Sequence, residues 1–80
     1  MIDDLSELYI QIGLQIGLNI AFYRKKRGLT QEDLAEIVGI SRTHISNIEA
    51  PKVVKSFSLE VLFKIARALN VEVEKLFQLR

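Results

Sequence analysis

From Gln31 to Ala50 the chain reads QEDLAEIVGISRTHISNIEA. Its apolar positions Leu34, Ala35, Ile37, Val38, Ile40, Ile45 and Ile48 recur at helical spacing on both sides of Gly39 but do not run continuously through it. A turn at Gly39 restores one shared buried face, because glycine takes a positive φ without a Cβ clash. Ser41, just beyond, can accept from the first free N–H groups of the next helix. Ala35 falls where the two helices must approach most closely, and a methyl group is about the largest side chain such a crossing tolerates. The pattern predicts helices over about Gln31–Val38 and Arg42–Glu49.

The flanks carry helical signals of their own. Leu18–Arg27 reads as a helix ended by Gly28, with basic side chains in its last turn where they complement the helix dipole. Thr30 caps the next helix, Asp33 three residues on approximates a capping box, and Leu29 can serve as the hydrophobic staple. Pro51, the only proline, disfavours α geometry at Ala50, so the helix ending at Glu49 must stop sharply and hand over to a loop of residues 50–57. Ser58 then caps a helix in which Leu59, Leu62, Phe63, Ile65, Ala66 and Leu69 form a broad apolar stripe. Asn70 is suited to a left-handed terminator, and a last short helix over about Val73–Leu79 would close the core with Leu76 and Phe77.

QEDLA, Gly39, Ile45 and the Ile48–Glu49 pair together resemble the helix-turn-helix of the XRE/Cro-type phage repressor family. Ile20–Gln31, with its YRKKRGLTQ, resembles that family's first helix and the lead into its second, and Phe57–Phe77 resembles the fourth and fifth helices. The resemblance implies an all-α fold, a compact five-helix repressor-type domain over residues 13–80 with its helix-turn-helix at about 31–49. Residues 1–12 are then an N-terminal extension.

That extension admits two readings. Ile10–Ile20 alternates apolar with polar or glycine at every step, which on periodicity argues for a strand. On a helix continuous with Leu18–Arg27, the same residues place Ile12, Ile16, Ile20, Tyr23, Arg24 and Arg27 on one face and Leu14, Leu18 and Phe22 on the other. Helix is the expectation, because the portion that matches the family is helical and an isolated strand has no evident partner. A helix apolar on two sides needs two partners. The five-helix core covers one face, and a homodimer contact through Leu14, Leu18 and Phe22, with Leu5–Ile12 adding to it, would cover the other. The alternative is that residues 1–12 fold back over the stripe within one subunit.

Composition narrows the field. Eighty residues make one small domain, with no room for a separate catalytic or effector domain. The net charge of +1 is uninformative in bulk, but Arg24, Lys25, Lys26, Arg27, Arg42, Lys52 and Lys55 surround the motif while Asp3, Asp4 and Glu7 gather at the N-terminus. With no cysteine and a single histidine, disulfides, zinc knuckles and nucleophilic or acid–base constellations have no raw material. An enzyme, a metal site and a cofactor are not expected. The acidic start argues against a secretory signal, and the polar-interrupted run Leu8–Phe22 is too short to span a bilayer, so a soluble cytoplasmic protein is the expectation.

The candidate chemistry is then recognition of double-stranded DNA. With Ile45 and Ile48 turned inward, Arg42, Thr43, Ser46 and Asn47 point outward, and the resemblance implies base contact at these positions. Arg42 could grip guanine O6 and N7, Asn47 could do the same for adenine, and Thr43 could meet a thymine methyl group. The bland reading of all four is a solvated surface. Gln31, at a helix N-terminus, and Thr30 are candidate phosphate contacts, as are Lys52 and Lys55 in the following loop. The resemblance also implies that the Gln31 side chain braces the recognition helix and that Arg24 pairs with Glu49 as a structural ion pair rather than touching DNA. His44 lies at the edge of the buried arc, where packing is the expected role. The leading function is a transcriptional regulator, a repressor acting as a homodimer. The competing one is an antitoxin or other protein-interaction module that engages a protein partner through the apolar N-terminal helix.

Overall fold

The structure, a computed structural model, describes residues 2–50 and 58–78, with side chains from Glu7 onward. Four α-helices, α1 (Ile2–Lys26), α2 (Gln31–Val38), α3 (Arg42–Glu49) and α4 (Leu59–Leu69), are followed by a 3₁₀ turn at Val73–Phe77. No strand occurs among the described residues. The alternating segment Ile10–Ile20 is therefore helical, as the central part of a single 25-residue α1. Its angular pattern explains the choice. Ile16, Asn19, Ile20 and Arg24 are buried on one arc of that helix, against α3, α4 and the 3₁₀ turn.

The local signals act where the residues put them. Thr30 is extended, its hydroxyl accepts from the Asp33 N–H at 2.9 Å, and the Asp33 carboxylate accepts from the Thr30 N–H at 2.9 Å, a complete capping box. The Thr30 backbone N–H, and after it the Thr30 side chain, hold the Asp33 carboxyl below the ordinary carboxylate range. Gly39 adopts φ 84° and returns its N–H to the Ala35 carbonyl at 2.8 Å, turning the chain into α3, whose first turn is capped by Ser41. Ala50 is extended at φ −67°, ψ 131°, so α3 ends at Glu49 without a left-handed cap, as a residue preceding proline requires. Asn70 supplies the left-handed terminator of α4 at φ 57°.

The core gathers Ile16 and Ile20 from α1, Leu34, Ala35 and Val38 from α2, Ile45 and Ile48 from α3, Leu62, Ile65, Ala66 and Leu69 from α4, and Leu76. Several expected core positions are instead exposed. Ile37 lies roughly a quarter turn from the centre of the α2 arc set by Leu34, Ala35 and Val38, and an eight-residue helix buries only one narrow stripe. Phe63 is displaced by a similar angle from the Leu62–Ile65–Ala66–Leu69 arc, and Leu59 sits in the first turn at the rim of α4. The expected fifth helix is the 3₁₀ turn, because five residues without a side-chain N-cap close on the i→i+3 pattern of Lys75 N–H to the Glu72 carbonyl. Leu76 is buried there, whereas Phe77 is exposed. The face assigned to Ile12 and Arg27 also overreaches. Ile12 projects beyond the core, and Arg27 is exposed, though it donates to the carbonyls of Leu69 and Asn70.

Candidate nucleic-acid interface

The α2–α3 unit is anchored through one carboxylate. Glu49, the last residue of α3, receives the Arg24 Nε at 2.7 Å on Oε2 and the Arg24 Nη2 at 2.9 Å on Oε1, a bidentate pair whose side chains are 10% and 6% exposed. Gln31 Nε2 donates to the same Oε1 at 2.9 Å, and the third guanidinium nitrogen of Arg24, Nη1, donates to the Leu29 carbonyl at 2.9 Å. α1, the start of α2 and the end of α3 thus meet at Glu49. Arg24 belongs to this scaffold and is buried within it.

α3 turns Ile45 and Ile48 into the core and leaves Arg42, Thr43 and Asn47 exposed, with Ser46 half-buried beside them. These four side chains cover one outer surface of a short helix whose inner surface is fully occupied, and they supply hydrogen-bond donors and acceptors without a competing carboxylate. His44 is half-buried, and its backbone N–H is taken by the Ser41 hydroxyl at 3.0 Å. Thr30 is exposed at the N-terminus of α2, where its backbone N–H and hydroxyl oxygen take part in the capping box, and Gln31 is half-buried with one N–H of its amide on Glu49, which leaves the second for another acceptor. The candidate phosphate contacts Lys52 and Lys55, and Pro51, lie outside the described residues. Leu18 and Phe22 are exposed on the outer face of α1 and Leu14 is half-buried there. Phe22 meets Tyr23 edge-on at 5.1 Å, and Lys26 sits 5.9 Å from its ring centroid.

Among the described residues no group of three or more His, Cys, Asp or Glu side chains is arranged to hold a metal ion, and no helix is long and apolar enough to cross a membrane.

Sequence reasoning passed over Asn19. It is fully buried on α1, donates from Nδ2 to the carbonyls of Leu76 at 2.9 Å and Gln78 at 2.8 Å, and lies 3.4 Å from the Gln15 amide nitrogen on its oxygen. A polar residue between Ile16 and Ile20 on a core-facing arc was the available signal, since such a residue needs partners once buried.

The family model described as "Helix-turn-helix" matches residues 20–76. The chain belongs to the helix-turn-helix family. Among curated relatives of this XRE type, control protein C.SmaI of Serratia marcescens is 41% identical over 58 residues, covering 72% of this chain and 67% of the relative. Among solved structures, the restriction-modification controller protein C.AhdI of Aeromonas hydrophila superposes with a TM-score of 0.74 at 31% identity, over 81% of this chain and 96% of that one. The biofilm master regulator SinR, solved in complex with DNA, superposes with a TM-score of 0.72 at 33% identity, over 79% of this chain and 98% of that one. This helix-turn-helix chain is thus a DNA-binding transcriptional regulator by family, and the matched residues include the whole of α2, the Gly39 turn and α3.

Proposed function

We propose that this helix-turn-helix protein is a cytoplasmic, non-enzymatic repressor that binds a two-fold-related site in double-stranded DNA as a homodimer, with α3 in the major groove. Arg42, Thr43, Ser46 and Asn47 read base edges, while Thr30 and Gln31, with Lys52 and Lys55, contact phosphates. One observation carries the reading. The Arg24–Glu49–Gln31 clamp immobilises α3 by its C-terminal end, so its polar outer surface is presented on a rigid base, as recognition at ångström precision requires. Homodimerisation through Leu14, Leu18 and Phe22, extended by residues 1–12, supplies a second half-site about one helical turn away and the specificity that one small domain lacks.

The test is selection of bound duplexes from a random library, repeated with Arg42→Ala at two salt concentrations. Base readout by Arg42 predicts relaxed preference at one position of each half-site and a loss of ~1–3 kcal/mol on the preferred sequence. Uniform weakening with a shallower salt slope would reassign Arg42 to a phosphate. Failure of the wild type to enrich any sequence removes the reading.

The exposed apolar residues Leu8, Tyr9, Ile10, Leu18 and Phe22 favour one second reading, an antitoxin-like module that engages a different protein through α1. It predicts a monomer in isolation.

A further inference from the structure

α1 carries an outward stripe that is complementary to itself. Glu7, Gln11, Leu14, Leu18, Ala21 and Lys25 follow one another at alternating intervals of four and three, the spacing of a coiled-coil seam. They lie opposite the arc of Ile16, Asn19, Ile20 and Arg24 that packs into the core, and Glu7, Leu18 and Lys25 are exposed. The stripe is acidic at one end, basic at the other and apolar in the middle.

We propose that α1 pairs antiparallel with α1 of a second copy, with the pairing centre level with Ile16. This rests on the homodimer reading above and specifies its geometry. In that register Leu14 of each copy meets Leu18 of the other, Gln11 meets Ala21, and Glu7 meets Lys25, so every layer places one kind of seam position against the other, as antiparallel packing of two equivalent helices demands. The arrangement is isologous, because each contact is made twice by the same pair of residues. Leu8 and Phe22, 51% and 44% exposed, lie on the same edge of the stripe and come together across the two-fold axis. A parallel pairing would instead set Glu7 against Glu7 and Lys25 against Lys25, so charge selects the antiparallel direction.

The register also suits the proposed DNA geometry. Three successive helix packings, α3 on α1, α1 on its copy, and that helix on its own α3, span ~24–30 Å at ordinary interaxial distances. α3 docks near Arg24, which lies ~12 Å along the helix from the pairing centre in each copy. Combined, the C-terminal ends of the two α3 helices, where Glu49 meets Arg24, stand roughly 34–38 Å apart, of the order of one turn of B-DNA at ~34–36 Å.

The chain has no cysteine, so engineered thiols report cleanly. Glu7→Cys and Lys25→Cys variants, mixed and oxidised, are expected to give a crosslinked heterodimer, while each variant alone gives little, its two thiols being ~27 Å apart. Glu7→Lys and Lys25→Glu should each weaken dimerisation in sedimentation roughly 2- to 30-fold at low salt, and their combination should restore it. Ready crosslinking of either variant alone overturns the antiparallel register. So does a dimer that survives Leu18→Asp but is lost on Phe63→Asp, which would move the contact to the exposed edge of α4. Both outcomes leave the homodimer itself standing. A wild type that sediments as a monomer across the concentration range overturns the homodimer and the register together.

Discussion

At the scale of single residues, two buried polar side chains tie sequence-distant parts of the chain. Glu49 neutralises a nearly buried Arg24 while accepting from Gln31. Glu49→Ala should cost ~3 kcal/mol in a urea melt, since it strands a guanidinium that keeps only its bond to the Leu29 carbonyl. Replacing both partners with apolar residues should cost less than the sum of the single changes, which a double-mutant cycle measures. Asn19 holds the end of the chain by donating to the carbonyls of Leu76 and Gln78. Asn19→Ala is expected to cost ~1–3 kcal/mol, the desolvation of groups left without their donor. Asn19→Asp should be worse, because it turns a carboxylate toward two carbonyl oxygens. The Arg24–Glu49 pairing is implied by the family resemblance of the sequence. The role of Asn19 is not, because its partners are backbone carbonyls more than fifty residues away, and a carbonyl leaves no mark in a sequence.

At the scale of elements, helix ends were legible because caps are local. Thr30–Asp33, Gly39, Ser41, Ser58 and Asn70 each act within a few residues of themselves. The capping box gives α2 a pH signature. Asp33 titrates below its ordinary value of 3.8 in the folded protein, so its contribution to stability is complete above that value and is lost as pH falls through the lowered folded value. Thermal melts of wild type and Asp33→Asn should therefore differ near neutral pH and converge as pH drops below 3.8. Burial within elements was less legible. A hydrophobic residue at roughly helical spacing looks like core, yet Ile37, Phe63 and Phe77 are exposed. Which part of a wide apolar arc is covered depends on where the neighbouring helix crosses it, and short helices cover little of one another.

At the scale of the whole molecule, α1 is longer than the core it serves. Among its described side chains, from Glu7 onward, burial begins at Ile16, and Leu8, Tyr9 and Ile10 are exposed beyond it. Deleting residues 1–12 should therefore leave monomer stability within ~1 kcal/mol when measured at concentrations too low for association, and should weaken the dimer, which keeps the contact of Leu14 with Leu18 but loses that of Glu7 with Lys25; a collapse of the melting transition would show that the segment belongs to the core. The sequence by itself determined the all-helical class, the placement of α2, the turn and α3, and the outward set of Arg42, Thr43 and Asn47, because caps, glycine turns and helical period act over a few residues. Only the tertiary structure decided that Ile37, Phe63 and Phe77 stay exposed, that the last element is a 3₁₀ turn, and that Asn19 holds the segment around Leu76 and Gln78. Those outcomes depend on which partners three-dimensional packing brings within reach, and burial and hydrogen-bond satisfaction are settled between elements rather than along them.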